Sequence, residues 1–233
     1  MPAFCYPRHP GDNAGMRLLA AGSAWLAVLA SAGAAGAAPD AGIPPVSPQA
    51  RAAGLIDVRT AVPDAVVDLR YATADNFVGV PLYPAGARCL VHESLAPGLA
   101  AAAADLRTTG ARLVLWDCYR PHDVQVRMFE AVPDPAWVAK PGAYARSHEA
   151  GRSVDVTVAR DGRLLDMGTD FDDFTPRATA YATDGVSLAQ QANRALLRAA
   201  MATGGLTVYA GEWWHFDGPG AAEPRPILDV PLG

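Results

Sequence analysis

Residues 147–159 read Ser-His-Glu-Ala-Gly-Arg-Ser-Val-Asp-Val-Thr-Val-Ala. The second half of this stretch alternates between polar and apolar side chains with a period of two, which predicts a β-strand over 153–159. Asp155 lies inside that strand, where a carboxylate is costly unless its charge is compensated, and a metal ion would compensate it. His148, seven residues earlier, offers an imidazole nitrogen, which is a common zinc ligand. His148 and Asp155 are therefore candidate metal ligands.

A second unusual segment, residues 211–216, reads Gly-Glu-Trp-Trp-His-Phe. A catalytic zinc site has three protein ligands and one open position, and His215 would complete such a set with His148 and Asp155. Glu212, three residues before His215, could take a proton from a metal-activated water if a turn brought the two side chains together.

The residues alone leave simpler interpretations open. His215 stands beside two Trp residues, which is also the setting of a core histidine with a satisfied hydrogen bond. Asp155 could instead be paired with Arg152 or with Arg120.

The rest of the chain predicts a mixture of helices and strands. Helices and strands do not follow a regular βαβ alternation, which favours the α+β class. Helical patterns cover 95–106, 121–132 and 187–203, and further strand patterns cover 65–71, 112–117 and 206–210.

The start of the chain has the layout of a secretory signal peptide. Arg17 precedes an uncharged run over 18–38 that ends in small residues, so we expect a signal peptide over 1–37 with cleavage after Ala37. Met16 is an alternative start that gives a signal of ordinary length. A retained membrane anchor stays open, because about 20 apolar residues can span a bilayer.

We expect export to an oxidising compartment, the periplasm. Cleavage of the signal peptide would leave a single domain. Residues 38–54 are rich in Pro, Ala and Gly and predict a linker, followed by a domain over 55–233. After cleavage we expect no stable association with a membrane. In such a compartment Cys89 and Cys118 would form a disulfide, and two buried free thiols are the alternative.

Charge and composition exclude several classes of protein. The 233 residues carry a formal charge of −5, and a general nucleic-acid binder needs a basic face, so no nucleic-acid partner is expected. Three cysteines are too few for a disulfide scaffold. The content of hydrophobic residues, 51%, is too high for a disordered chain.

Five segments, in order along the chain, resemble the D-alanyl-D-alanine dipeptidase family, the VanX-like zinc dipeptidases related to LAS-type peptidases and the hedgehog fold. The resemblance covers residues 55–220 and implies a small central antiparallel sheet flanked by helices. It also implies one zinc ion per chain and a small dipeptide substrate. The segments are 68–77 (DLRYATADNF), 116–121 (WDCYRP), 147–157 (SHEAGRSVDVT), 166–172 (DMGTDFD) and 212–215 (EWWH).

The resemblance implies a role for each matching residue. His148, Asp155 and His215 match the zinc ligands. Glu212 matches the catalytic base. Arg120 matches an arginine that stabilises the oxyanion, which suits a fixed positive charge placed where negative charge develops.

Other matching residues would hold the two ends of the substrate. Tyr71 and Asp172 match positions that bind the free ammonium group, and Ser147 would bind the carboxylate. The alternatives from the residues themselves are an Arg120 ion pair with Asp117 and a Ser147 hydroxyl that orients a ligand.

The chain also departs from the family pattern. Arg146 stands where a small polar residue is expected, and Cys118 stands where cytoplasmic members often have glycine. Two further functions stay open: a muramyl-peptide carboxypeptidase or endopeptidase of the same fold, and a non-catalytic zinc-stabilised binding domain. Retention of both Glu212 and Arg120 argues against the second.

Overall fold

The computed structural model of the chain describes residues 42–233. The expected signal peptide over 1–37 and the first residues of the expected linker lie outside this range. The elements within it are α1 (Pro48–Ala52), β1 (Leu55–Asp57), β2 (Val66–Val67), β3 (Leu90–His92), α2 (Ala96–Thr108), β4 (Ala111–Asp117), α3 (His122–Ala131), β5 (Ser153–Arg160), β6 (Arg163–Leu164), α4 (Leu188–Thr203), β7 (Thr207–Val208) and β8 (His215–Asp217).

A six-stranded sheet forms the centre of the domain. Its strands lie in the order β2-β4-β5-β8-β7, and β6 also pairs with β5. The structure confirms the α+β class with a sheet flanked by helices. The sheet is not wholly antiparallel as predicted, because the edge strand β2 runs parallel to β4.

The two central strands β4 and β5 are buried on both faces. Val154, Val156 and Val158 of β5 belong to the hydrophobic core. On the other face of β5, Ser153, Asp155 and Thr157 are polar, yet they are buried as well, and Asp155 lines a cleft described below. The period-two pattern therefore has two buried faces rather than one buried and one exposed face.

The three predicted helices correspond to α2, α3 and α4, with bounds that differ from the predicted ones by at most two residues. Ser187 caps α4 in a capping box with Gln190, and Gly204 ends the helix. Helix α2 packs against both α4 and β4. Among the described helices, none is both long enough and apolar enough to cross a membrane.

The structure corrects several predictions for short elements. The strand predicted over 65–71 is reduced to β2, because the chain turns into a 3-10 helix at Arg70–Ala72. The strand predicted over 206–210 is reduced to β7, and it is followed by β8, which the sequence did not predict. The second half of the predicted linker contains α1, with Ala50 fully buried. The boundary of the linker stays a prediction.

A tight turn connects the 3-10 helix Ser147–Ala150 to strand β5. Gly151 makes this turn with a φ of +65°, in the left-handed region that glycine adopts without strain. A Cβ atom at this position would lie 2.6 Å from Cδ2 of Leu55 and 3.3 Å from the backbone nitrogen of His92. Glycine is therefore required here by both backbone conformation and space.

We expect Gly151→Ala to lower the free energy of unfolding by about 2–4 kcal/mol, because it adds left-handed strain and overpacks the core beside Leu55. Denaturant unfolding followed by circular dichroism measures the change. Gly142→Ala is the control, since Gly142 lies in open space and its φ is not positive. Equal stability of the Gly151 variant and the wild type would contradict this interpretation.

Candidate metal centre and active site

Three acidic or imidazole side chains lie side by side at one end of the central strands. In the strand register Asp117 of β4 is opposite Asp155 of β5, and Asp155 is opposite His215 of β8. Residues directly opposite one another in paired strands have neighbouring side chains. The sheet thus brings together residues that are up to 98 positions apart, counting from Asp117 to His215.

The fourth member of the group, His148, comes from the 3-10 helix before β5. Its Nε2 atom lies 3.2 Å from Oδ1 of Asp155 and 3.1 Å from Nδ1 of His215. Nδ1 of His215 lies 3.1 Å from the same Asp155 oxygen. His148 and Asp155 are buried. The three atoms form a nearly equilateral triangle.

Hydrogen bonds on the far side of each imidazole determine which nitrogen faces the triangle with a free lone pair. Nδ1 of His148 lies 2.8 Å from the Cys118 carbonyl oxygen, which can only accept a hydrogen bond. Nε2 of His215 lies 3.1 Å from Oδ1 of Asp217, also an acceptor. In the neutral rings both outer nitrogens therefore carry the proton, and both inner nitrogens point lone pairs at the Asp155 oxygen.

This arrangement fits a bound metal ion. Ligand atoms about 2.0–2.1 Å from a tetrahedral zinc ion are about 3.3 Å apart, close to the observed separations. Three converging lone pairs would otherwise repel one another, so the site needs a cation. His148, Asp155 and His215 are the residues that could hold it.

The electrostatics of the protein without metal show the same need for positive charge. Burial would lower the pKa of His215, but hydrogen bonds to Asp155 and Asp217 outweigh this effect and raise its pKa to about 10. Burial would raise the pKa of Asp155, but the two imidazoles outweigh it and lower the pKa well below its usual value. In the absence of metal, a proton on His215 supplies the charge that Asp155 requires.

Glu212 reaches the same group from the turn between β7 and β8. The backbone N–H of Glu212 donates to the carbonyl of Tyr209, and that of Tyr209 donates to the carbonyl of His215. This turn places Oε2 of Glu212 4.0 Å from Nδ1 of His215. Burial is the main cause that raises the pKa of Glu212 to about 7, and the Asp155 carboxylate adds to it, while His215 opposes it. A carboxylate with a pKa near neutrality is suited to accept and return a proton.

Arg120 forms an ion pair with Asp117 and also lines the site. Its Nε and Nη2 atoms donate to Oδ2 of the fully buried Asp117 at 3.0 and 2.7 Å, and Nη1 donates to Oε1 of Gln125 at 2.7 Å. Burial would lower the pKa of Arg120, but Asp117 outweighs it and raises the pKa, so the guanidinium stays charged. Nη2 also lies 3.8 Å from Oδ2 of Asp155. The ion pair with Asp117 therefore orients Arg120 toward the triangle.

Tyr71 and Asp172 form a separate polar pair in the site. The Tyr71 hydroxyl donates to Oδ2 of Asp172 at 2.9 Å. Burial, and next the negative charge of Asp155, raise the pKa of Asp172 well above its ordinary value. An added cation would favour the ionised carboxylate. The pair is thus suited to receive a positively charged group.

Ser147 is held in a less common backbone conformation. Its φ of +48° lies in the left-handed region, as does the φ of +56° of Asp172. Non-glycine residues adopt this region rarely and often at functional sites. The Ser147 hydroxyl contacts Ser153 at 2.9 Å and Nε2 of His215 at 3.4 Å. Ser147 therefore lies beside the outer nitrogen of His215, and its hydroxyl makes no hydrogen bond to His148.

The residues described above line a single cavity of about 440 Å³. All eight predicted site residues line it: Tyr71, Arg120, Ser147, His148, Asp155, Asp172, Glu212 and His215. The structure thus brings the sequence-predicted residues into one cleft, with the ligand triangle in its wall.

Comparison with known proteins identifies the family. Residues 51–232 match the peptidase family model described as "D-ala-D-ala dipeptidase". The chain belongs to this family. It is 38% identical to the D-alanyl-D-alanine dipeptidase of Escherichia coli (strain K12) over 175 residues, which are 75% of this chain and 89% of that protein.

Other members of the family are similarly related. The chain is 34% identical to the D-alanyl-D-alanine dipeptidase of Streptomyces coelicolor and 32% identical to that of Enterococcus faecium. Each match covers 71% of this chain and 91% of the relative. Among solved structures, the LdcB LD-carboxypeptidase aligns with a TM-score of 0.39 and 16% identity, over 57% of this chain and 61% of that chain.

Sequence reasoning missed Gln125, which holds Arg120, and Asp217, which lies beside His215 in the same cavity. The one sequence signal for Asp217 is its spacing of two positions from His215, which places both side chains on the same face only when the segment is a strand, as in β8. Asp217 accepts hydrogen bonds from His215 and, at 2.5 Å, from the Ser153 hydroxyl. A carboxylate in this position fixes the tautomer and orientation of a ligand imidazole.

The disulfide joins the site to the smaller sheet. Cys89 and Cys118 are bonded in the structure. Cys89 precedes β3, which pairs with β1, and Cys118 follows β4. Because the Cys118 carbonyl accepts the hydrogen bond of His148, the disulfide restrains a peptide group that orients a candidate ligand.

We expect Asp217→Ala to weaken metal binding by about 10- to 100-fold, because it releases the outer nitrogen of His215. Competition with a chromogenic chelator measures the affinity, and ¹⁵N NMR of labelled histidine reports the tautomer. Asp184→Ala is the matched control, since Asp184 is exposed and lies outside the cavity. Unchanged affinity and an unchanged tautomer would contradict the role given to Asp217.

We expect the double variant Cys89→Ser/Cys118→Ser to lose about 2–5 kcal/mol of unfolding free energy and some metal affinity in the folded state. Thermal unfolding and chelator competition measure the two effects. Reducing agent should reproduce both in the wild type and change neither in the variant. A variant with wild-type metal affinity would show that the disulfide does not restrain the site.

Proposed function

We propose that this protein is a zinc-dependent dipeptidase that hydrolyses D-alanyl-D-alanine. Its relatives in Escherichia coli, Enterococcus faecium and Streptomyces coelicolor carry the name of that activity. The observation that carries the proposal is the cavity itself, in which the ligand triangle, the partly buried Glu212 carboxylate and the Arg120 guanidinium lie together.

Zinc is the metal that best suits the donor set. Two imidazole nitrogens and one carboxylate oxygen are ligands that zinc accepts in catalytic sites, where a fourth position stays open. The disulfide consumes both cysteines of the described part, so no thiolate competes. When bound by His148, Asp155 and His215, zinc supplies Lewis acidity that polarises the scissile carbonyl and acidifies a water molecule.

Glu212 moves the proton of the reaction. Its carboxylate accepts a proton from the attacking water as the new C–O bond forms, and it returns that proton to the departing amine nitrogen as the C–N bond breaks. The carboxylate starts and ends the cycle in the same state. Its burial and its pKa of about 7 suit both transfers near neutral pH.

Arg120 stabilises the negative charge that develops on the carbonyl oxygen. Three of its five N–H groups are used by Asp117 and Gln125, which leaves one on each terminal nitrogen for the substrate. The side chain is held in place before the substrate arrives, so little reorganisation is needed in the transition state.

Asp172 and Tyr71 bind the ammonium group of the substrate. An ionised Asp172 beside the Tyr71 hydroxyl places an acceptor where a free N-terminus would lie. A longer peptide would present an uncharged amide there instead, so the pair favours a dipeptide. An open cavity without this carboxylate would have favoured an enzyme that acts on longer wall peptides.

We also propose that the protein is exported to the periplasm. The uncharged segment over 18–38 supports export, and a disulfide between Cys89 and Cys118 suits an oxidising compartment such as the periplasm.

The test uses the purified mature protein with zinc. We expect hydrolysis of D-Ala-D-Ala, and we expect Glu212→Gln to lower kcat by at least about 100-fold while the zinc content is unchanged. Glu130→Gln is the matched control, since Glu130 is exposed on α3 outside the cavity.

Two results would overturn the proposal. A wild-type protein that binds zinc but cleaves neither D-Ala-D-Ala nor L-Ala-L-Ala is not a dipeptidase of this kind. A fully active Glu212→Gln variant would remove the assignment of the base.

A further inference from the structure

We propose that Arg146 is the residue that binds the free C-terminal carboxylate of the substrate, and that it makes this dipeptidase select peptides with an unblocked C-terminus. The inference rests on the proposed function and assigns the second end of the substrate. It replaces the expectation that Ser147 binds this carboxylate.

The hydroxyl protons of Ser147 and Ser153 are both used in other hydrogen bonds, so Ser147 is unsuited to bind the substrate carboxylate. The Asp217 carboxylate can only accept, so Ser153, at 2.5 Å from it, must donate. Ser153 has then used its one proton and must accept from Ser147, at 2.9 Å. The Ser147 backbone N–H donates to the carbonyl of Ala221 at 2.8 Å. Ser147 thus has no proton left for a carboxylate, which needs a donor.

Arg146, the preceding residue, has donors to spare. Its Nε atom donates to the carbonyl of Ala222 at 3.1 Å. Within residues 42–233, neither of its terminal nitrogens makes a hydrogen bond or an ion pair. Arg146 and Ala222 both line the cavity. The two free nitrogens form a fork that matches the two oxygens of a carboxylate.

The backbone around Arg146 holds this fork in position. Ala145 forms a two-way bridge with Arg225, with N–O distances of 2.9 and 3.0 Å. Together with the bonds from Ser147 and from the Arg146 side chain, this bridge ties 145–147 to 221–225. An anchored arginine loses little conformational entropy when it binds an anion.

The charged residues that line the cavity suit a substrate with a positive charge at one end and a negative charge at the other. Asp172, with Tyr71, provides the acceptor for an ammonium group. Among the cations that line the cavity, Arg120 is neutralised by Asp117, whereas Lys140 and Arg146 have no carboxylate partner among the described residues. A dipeptide with both ends free carries one charge of each sign and matches this pattern.

The experiment compares two substrates that differ only at the C-terminus, D-Ala-D-Ala and D-alanyl-D-alaninamide, by chromatographic measurement of the released alanine. We expect the wild type to prefer the free acid. We expect Arg146→Gln to lower kcat/KM for the acid by about 10- to 100-fold and to change that for the amide by less than about threefold. Arg146→Lys, which keeps the charge without the fork, should recover part of the preference.

Arg127→Gln is the control, since Arg127 is exposed on α3 and does not line the cavity. The proposal for Arg146 is overturned if Arg146→Gln keeps the wild-type ratio of acid to amide, or if Lys140→Gln removes the preference instead. A wild type that cleaves neither compound overturns the proposed function itself. A wild type that cleaves both equally overturns only the assignment of Arg146.

Discussion

Three atoms with lone pairs, Nε2 of His148, Oδ1 of Asp155 and Nδ1 of His215, lie 3.1–3.2 Å from one another inside the protein. They would repel one another without a cation between them. The surrounding structure maintains this arrangement, since each imidazole donates its outer proton to a fixed acceptor. The other functional groups take their positions relative to this triangle.

The sheet is the device that builds the triangle. Register between β4, β5 and β8 sets Asp117, Asp155 and His215 in a row, and the glycine turn before β5 brings His148 back over them. Asp117 then orients Arg120, and the turn before β8 carries Glu212, the proposed base. The small sheet, with a polar buried face, therefore positions the candidate metal ligands before any ion binds.

Strand β5 and its candidate ligand could be predicted from the sequence, because the signals lie within a few neighbouring residues. The alternation over 153–159 predicted β5, and an aspartate within it predicted a compensated charge. The short strands β1, β3 and β8 could not be predicted, because three residues carry too little pattern and are strands only through pairing with distant partners. Asp217 was missed for the same reason, since its alignment with His215 has meaning only once β8 exists. The direction of β2 also depends on a distant partner, β4, and not on its own two residues.

The central claim is that this chain holds one zinc ion in a site with two imidazoles and one carboxylate. Zinc X-ray absorption on the purified protein, with metal content measured on the same sample, tests it most directly. The account predicts about one zinc per chain, nitrogen and oxygen neighbours at about 2.0–2.1 Å, two of them imidazoles, and no sulfur. A protein that retains no zinc, or zinc with sulfur neighbours at about 2.3 Å, would contradict it.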